Sequence, residues 1–176
     1  MKHGKRDDRS FEKMGIDGST GVLPMRFIAD AMLGRLAKWM RIMGFDVAYY
    51  RRIEDRELVR LALKDSRMIL TRDTLLIRRK QAEGNCFLVE GNSYKEQLKQ
   101  VVKQFSLDPY RDLLTRCIAC NMPLAEIDKE TVKESVPEYV YQNQNSFLTC
   151  PGCGRIYWPA THRDGIIKTL EEIFRA

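Results

Sequence analysis

Short apolar runs alternate with amphipathic segments between Met25 and about Phe105. The apolar runs predict buried strands, whereas segments whose apolar residues recur every three or four positions predict helices. The predicted strands are residues 27–29, 45–49, 68–70 and 86–89. The predicted helices are residues 31–43, 55–64, 74–82 and 94–105. Because strands that alternate with helices pair in parallel, this order predicts an α/β domain with a parallel sheet.

Three regions differ in their patterning. Residues 1–24 mix charges with glycines and show no periodicity, which predicts a flexible leader. Residues 25–108 carry the alternating strands and helices, and Asp108-Pro109 marks a boundary. Residues 109–176 contain pairs of cysteines, several prolines and short β-like runs such as residues 137–141, and end in a helix that begins at His162 or Asp164. We therefore expect one α/β domain followed by a small module with a terminal helix.

The net charge of +6 is unevenly distributed along the chain. Residues 25–104 carry a net charge of +7, whereas residues 105–176 carry −2. A basic domain favours a polyanionic partner such as nucleic acid, although a solvated surface rich in lysine and arginine is the simpler alternative. No apolar run is long enough for a membrane span, and residues 1–15 lack the apolar core of a secretory signal. We therefore expect a cytoplasmic protein with no membrane partner and with reduced cysteines.

Four of the five cysteines form two Cys-x-x-Cys pairs. Two such pairs can supply four thiolates to one tetrahedral Zn²⁺ ion, and a closed shell of four ligands makes the site structural. The predicted zinc ligands are Cys117, Cys120, Cys150 and Cys153. Disulfides or a redox pair are the alternative, but they conflict with the absence of a secretion signal. The fifth cysteine, Cys86, lies in an apolar strand and is predicted to fill the core.

Three aspartates each lie at the end of a predicted strand or at the start of the next helix. These are Asp30, Asp55 and Asp73. In a parallel sheet such positions converge on one edge, where three carboxylates repel one another unless a hard cation such as Mg²⁺ or Mn²⁺ is bound. Basic residues that can hold phosphate adjoin them: Arg35, Lys38, Arg41 and Arg72. Acids that hold a metal, surrounded by bases that hold phosphate, are typical of a nuclease.

Each of these residues also has a plainer interpretation. Aspartate is a good helix N-cap, and capping explains each of the three positions without a metal. Glu54 or Glu57 can replace Asp55 as the ligand on the second predicted helix. His162 is interpreted as a hydrogen-bonded structural residue, since four cysteines already complete the zinc site.

The motifs in this order resemble the Mut7-C ribonuclease domain, a branch of the PIN-like nucleases. The resemblance rests on residues 27–41 (FIADAMLGRLAKWMR), Gly44-Phe45-Asp46 and residues 69–73 (ILTRD). It continues in residues 116–121 (RCIACN), Val136-Pro137 and residues 150–158 (CPGCGRIYW), which are similar to the C-terminal zinc ribbon of that family. The resemblance covers about residues 25–174 and excludes the leader.

What the resemblance implies is a PIN-like α/β sandwich with a zinc ribbon and metal-dependent cleavage of RNA. The family's first acid corresponds to Asp30, the acid of its Thr-Arg-Asp motif to Asp73, and the acid of its second helix to Asp55. For a fourth acid, only Glu90 is available, with Asn92 nearby. The sequence thus predicts a ribonuclease with structural Zn²⁺ and catalytic Mg²⁺ or Mn²⁺. The alternative is a non-catalytic protein that binds RNA or the ribosome.

Overall fold

The computed structural model describes residues 25–158 and 162–175. The predicted leader, residues 1–24, lies outside the described residues. Within these residues the chain forms seven strands: β1 (Phe27–Ala29), β2 (Val47–Tyr49), β3 (Met68–Thr71), β4 (Cys86–Leu88), β5 (Ala125–Ile127), β6 (Phe147–Thr149) and β7 (Ile156–Tyr157). The same described ranges contain six α-helices: α1 (Gly34–Ile42), α2 (Asp55–Lys64), α3 (Thr74–Ile77), α4 (Tyr94–Gln104), α5 (Glu138–Asn143) and α6 (His162–Phe174). Short 3-10 helices occupy Ala31–Leu33, Lys80–Ala82 and Lys129–Val132.

The first four strands form a parallel sheet in the order β2-β1-β3-β4. This arrangement confirms the predicted α/β class. Side chains alternate between the two faces of the sheet, so that one face packs against α1 and α4 and the other against α2. The cross-strand row facing α2 consists of Ile28, Ala48, Ile69 and Cys86. The domain therefore has three layers, with helices on both sides of a buried sheet.

The remaining three strands form an antiparallel sheet in the order β5-β6-β7. Its β5 and β6 lie between the two cysteine pairs and are joined by a long excursion that contains α5. A small apolar cluster beneath the excursion contains Val132, Val136 and Phe147. This sheet, with the cysteine pairs beside it, is the ribbon of the protein.

The prediction of a β-like run over residues 137–141 is wrong, because Glu138–Asn143 is helical. Proline is well suited to the start of a helix, and here Pro137 stands at the N-cap with a φ of −57°. Val136 and Val140 are four residues apart and both pack in the ribbon cluster, which is a helical spacing. The helix predicted over residues 74–82 is also interrupted, since α3 ends at Ile77 and a separate 3-10 turn follows.

The terminal helix α6 follows the ribbon in sequence but packs against the parallel-sheet domain. Leu170 and Ile173 are fully buried in the same cluster as Leu98 and Val101 of α4. Lys95 also forms an ion pair with Glu172 at 3.3 Å. The chain thus passes through the ribbon and returns to complete the first core. In the part of the chain that the structure describes, no helix is long and apolar enough to span a bilayer.

Candidate active site and metal-binding cluster

The carboxyl edge of the parallel sheet brings two of the predicted acids together. The strand order reverses between β1 and β3, and in open α/β sheets this reversal forms a crevice at the carboxyl ends of the strands. Asp30 directly follows β1, and Asp73 lies two residues beyond β3. Their placement follows from the topology, because both central strands end at the same edge.

Asp30 is the more buried of the two acids, with 8% of its surface exposed. Its Oδ1 accepts a hydrogen bond of 2.7 Å from the amide of Met32, which makes Asp30 the N-cap of the first 3-10 turn. Its Oδ2 accepts a 3.0 Å hydrogen bond from the amide of Arg72 and another from the hydroxyl of Thr71. These three donors compensate the cost of burying a carboxylate at the edge of the core.

The hydroxyl of Thr71 links the two acids. It donates to Asp30 and accepts a 2.9 Å hydrogen bond from the amide of Asp73. Asp73 in turn accepts a 2.7 Å bond from the amide of Leu75 and caps α3. Thr71 is completely buried, and the sequence reasoning assigned it no role. A threonine two residues before an acid, at the end of an apolar strand, was the available signal.

Cys86 on β4 lies within electrostatic reach of both acids. Burial, and then the charges of Asp30 and Asp73, raise the pKa of the Cys86 thiol to about 11. The thiol is therefore neutral at pH 7 and packs with the apolar cluster that faces α2. This position agrees with the predicted role as a core residue.

Asp55, the third predicted acid, is held elsewhere. Its Oδ2 lies 2.7 Å from Nη2 of Arg79, and both side chains are nearly half exposed. Arg79 follows the carboxyl end of α3, whereas Asp73 caps the amino end of that helix. Within residues 25–158 and 162–175, no three carboxylate or histidine ligands gather within 4.8 Å of one another. The alternative acid Glu57 is bound by Arg60 at 2.6 and 2.7 Å.

Three of the four predicted phosphate-binding residues lie at the surface. Arg35 and Lys38 are exposed on α1, and the Arg35 guanidinium lies 5.7 Å from the ring centroid of Tyr94. Tyr94 also stacks on Trp39 with ring centroids 5.5 Å apart. Arg72 is partly exposed at the end of β3.

The guanidinium of Arg72 donates a 3.0 Å hydrogen bond to Oδ1 of Asn92, which is exposed. Glu90, the acid considered for a fourth ligand, is exposed two residues earlier, and its amide donates to Gln100 at 2.8 Å. Arg72 therefore contacts both Asn92, through its side chain, and Asp30, through its backbone amide. Among the described residues, no hydrogen bond or ion pair joins Glu90 to Asp30 or Asp73.

Arg41, the fourth of these residues, is not at the surface. Only 5% of it is exposed, and its guanidinium donates to the carbonyls of Val47, Ile118 and Ala119 at 2.9, 3.0 and 2.9 Å. The prediction that Arg41 belongs to an exposed phosphate-binding surface is corrected accordingly. Helical spacing placed it on the polar sector of α1, but the ribbon covers that sector from a distant part of the sequence. Arg41 fastens the first cysteine pair to the α/β domain.

Replacing Arg41 by methionine is expected to lower the free energy of unfolding by roughly 2–4 kcal/mol, because three backbone carbonyls in buried or partly buried hydrogen bonds lose a charged donor. Urea unfolding at equilibrium measures this change. Lys38→Met on the exposed side of the same helix is the matched control and should stay within about 0.5 kcal/mol of the wild type. Equal stability of the two variants would contradict the role of Arg41.

A second set of contacts holds the same junction between the first cysteine pair and the α/β domain. Asn121, directly after the first cysteine pair, accepts from the amide of Val47 at 2.9 Å and donates to Asp46 at 2.7 Å. Arg67 donates to the same Oδ1 atom of Asp46, at 2.5 Å. Burial opposes ionisation of Asp46, but the hydrogen bonds and charges of Arg67, Asn121 and Arg116 outweigh it and lower its pKa.

Gly44 explains why the junction closes so tightly. It has a φ of +91°, and a Cβ at this position would lie 2.1 Å from the carbonyl oxygen of Asp112. Both the left-handed conformation and the close approach of the following segment therefore require glycine. The turn between α1 and β2 is shaped to receive the start of the ribbon.

The four predicted cysteine ligands lie together in one cluster. Their Sγ atoms are all within 4.8 Å of one another, with Cys117 to Cys153 at 3.7 Å and Cys120 to Cys150 at 3.2 Å. Tetrahedral coordination with bonds of about 2.3 Å to Zn²⁺ requires sulfur atoms about 3.8 Å apart. The thiol positions and their chemistry therefore fit a metal ion such as zinc.

Hydrogen bonding prepares one of these thiols for ionisation. Burial opposes loss of the proton from Cys117, but hydrogen bonds from the Tyr157 hydroxyl, at 3.1 Å, and from the amides of Cys120 and Ala119 lower its pKa to about 6. The cation of Arg41 also interacts electrostatically with Cys117 and Cys120. Since a metal-bound thiolate shell carries excess negative charge, a buried arginine beside it is a favourable neighbour.

The comparison with protein families matches residues 25–170 to the Mut7-C RNAse domain. This chain belongs to that family. The match includes the acid edge, the cysteine cluster and most of α6, so the two sheets and the returning helix are all part of the Mut7-C region. The resemblance stated from the sequence motifs is thereby confirmed. No curated protein and no solved structure matches the chain significantly.

Membership of the Mut7-C family indicates a nuclease-type domain with an RNA-related role. For this Mut7-C protein, the structure adds a pair of acids joined through Thr71 at the strand reversal, and a cysteine cluster able to hold a metal. It leaves Asp55 in an ion pair with Arg79.

Proposed function

We propose that this Mut7-C protein is a ribonuclease that requires a divalent metal ion. The observation that carries the proposal is the acid pair, Asp30 and Asp73, linked by Thr71 at the carboxyl edge of a basic domain. Asp30 is a largely buried carboxylate at the strand reversal, where open α/β sheets place their ligands, and Asp73 follows the neighbouring strand at the same edge. The family assignment supports RNA as the substrate.

The oxygen ligands at this edge fit a hard cation such as Mg²⁺ or Mn²⁺. Asp30 and Asp73 would hold it, and Asp55 would join them only after leaving Arg79. A bound divalent ion supplies activation of water and neutralisation of charge at the phosphodiester. The protein's own contribution is to hold the Asp30 side chain in one orientation through Thr71 and the amide of Arg72.

The RNA strand is proposed to lie along the basic residues beside this edge. Arg35 and Lys38 provide exposed positive charge on α1, and Arg72 is positioned by Asn92 next to Asp73. These cations would bind phosphates and set the position of the strand without reading its sequence. Arg41 is omitted from this surface because it is buried.

A specific observation favours the second candidate, a non-catalytic RNA-binding protein. Asp30 and Asp73 both cap helical turns, and Asp55 is neutralised by Arg79. Each acid therefore has a structural role that needs no metal. The two candidates differ in whether a divalent-dependent product is formed.

Replacing Asp73 by asparagine tests the proposal with little risk to folding, since asparagine is an equally good N-cap. End-labelled single-stranded RNA is incubated with the full-length protein and Mn²⁺ or Mg²⁺, and the products are separated on a gel. We expect cleavage by the wild type, and about a 10²-fold lower rate for Asp73→Asn because a metal-binding charge is lost.

Glu83→Gln is the matched control, because Glu83 is an exposed acid of the same domain that precedes β4, at the opposite edge of the sheet. This variant should cleave at the wild-type rate, which also excludes a contaminating nuclease that differs between preparations. RNA that is bound but never cleaved by the wild type, with either metal ion, would overturn the proposal in favour of the RNA-binding protein.

A further inference from the structure

A cavity of about 670 Å³ lies in the ribbon half of the protein, away from the acid edge. Its floor is a cross-strand row of the ribbon sheet, formed by Glu126, Leu148 and Tyr157. Segment 113–118, which leads into the first cysteine pair, lines another side. Small-molecule sites in proteins have volumes of roughly 300–1,000 Å³, so the cavity is of a size that holds a ligand.

The cavity wall contains apolar and aromatic side chains as well as charged ones. Apolar and aromatic groups are supplied by Leu113, Leu114, Leu148, Tyr157 and Trp158. Tyr157 and Trp158 both line the cavity and are partly exposed, and Trp158 also packs against the ribbon cluster while the Tyr157 hydroxyl contacts Cys117. Such aromatic surfaces bind nucleobases by stacking, and they do so with little preference among the bases.

Positive charges border the same cavity. Arg116 is a fixed one, because its guanidinium donates to the carbonyls of Gly44 and Asn121 at 3.2 and 2.7 Å. Arg163 is exposed and lines the cavity as well. Lys129, which is partly exposed, also lines it, with its Nζ 5.0 Å from the ring centroid of Tyr141. Of the wall's two carboxylates, Asp128 is engaged in capping, since its Oδ1 accepts from the amide of Glu130 at 2.8 Å. Glu126 lies in the floor row, where a carboxylate can accept hydrogen bonds from base amino groups.

We propose that this cavity binds one nucleotide. The base packs against Tyr157 and Trp158, and the phosphate lies at Lys129 and Arg163. The aromatic wall and the floor carboxylate suit a base, and the bordering cations suit a phosphate, so the cavity fits a nucleotide better than a purely apolar ligand. The site is separate from the acid edge and does not depend on cleavage, so it extends the proposed function to a second point of nucleotide contact.

Tryptophan fluorescence gives a direct test, because the chain contains only two tryptophans, Trp39 and Trp158. Trp39→Phe keeps an aromatic ring against Tyr94 and leaves Trp158 as the single tryptophan, which is excited selectively at wavelengths that tyrosine does not absorb. This full-length variant, loaded with zinc, is titrated with each of the four nucleoside 5′-monophosphates and with a single-stranded RNA hexamer. We expect saturable quenching of Trp158. Quenching by the hexamer assigns the site to RNA, and quenching by the monophosphates alone assigns it to a free nucleotide.

Two further substitutions in the Trp39→Phe background locate the binding. Arg163→Gln removes an exposed cation of the cavity and should weaken binding about tenfold. Lys168→Gln removes an exposed cation of the same helix outside the cavity and should leave the affinity unchanged. No quenching by any of these ligands at millimolar concentration, or equal affinity of the two variants, would overturn the proposal. Neither result bears on divalent-dependent cleavage, which is measured separately.

Discussion

Asparagine in place of Asp30 is expected to reduce divalent-dependent RNA cleavage by about 10³-fold or more, the largest effect of any single substitution at the acid edge. Asp30 is the acid at the strand reversal, and it is held by three donors, the amides of Met32 and Arg72 and the hydroxyl of Thr71. Its charge and its orientation are both lost in the variant. The measurement is the single-turnover cleavage rate with saturating Mn²⁺.

The same substitution should also lower the free energy of unfolding by about 1–3 kcal/mol, because an amide nitrogen cannot accept a hydrogen bond and one buried donor is left unsatisfied. Asp73→Asn separates the two effects, since asparagine still caps α3 while the charge is lost. Circular dichroism at the assay temperature gives the folded fraction of each variant. A folded Asp30→Asn protein that cleaves RNA at the wild-type rate would contradict the assignment of Asp30.

Loss of one predicted zinc ligand is expected to have the largest effect on stability. Cys150→Ser should abolish stoichiometric zinc binding and lower the thermal midpoint by about 10 °C or more, as a loss of several kcal/mol implies for a chain of this length. The reason is that the first cysteine pair contains the two carbonyls that Arg41 binds and is followed directly by Asn121, whose side chain binds Asp46 and Val47. Disorder in the ribbon therefore removes the contacts that close the α1–β2 turn.

Cys86→Ser is the matched control, because Cys86 lies outside the cluster on β4. This variant should retain about one zinc ion per chain, measured by metal analysis of the purified protein, and a thermal midpoint closer to that of the wild type. Cys150→Ser protein that still holds one zinc ion per chain with an unchanged thermal midpoint would show that the four cysteines do not act as one site.

Local patterning predicted the parallel sheet well. The two central strands are short and almost wholly buried, and the edge strands are partly buried, so a short apolar run marks each of them, and each intervening helix has an apolar face. Residues 55–64, for example, form α2 with the predicted bounds. The ribbon was harder to predict, because its elements are short and depend on a small apolar cluster and on the cysteine pairs rather than on a long periodic pattern. Residues 137–141 satisfied a β-like pattern, yet proline at the N-cap and the spacing of Val136 and Val140 produced a helix.

The candidate site was also only partly predictable from the sequence. The carboxyl-edge positions of Asp30 and Asp73 follow from the order of strands and helices, which periodicity reveals. The ion pair of Asp55 with Arg79 depends on the orientation of α3 relative to α2, and no local signal specifies it. Thr71 was visible in the sequence, but its role as the link between the acids depends on β1 and β3 being neighbours.

The α/β class, the gathering of the cysteines into one cluster and the segregation of positive charge in residues 25–104 were predictable from the amino-acid sequence, because these properties depend on residue type and local spacing. The folded structure was needed to show that Arg41 is buried against the first cysteine pair and that α6 returns to the first core. These features join residues more than 70 positions apart. Such contacts are set by how whole elements pack, and a pattern read along the chain does not contain that information.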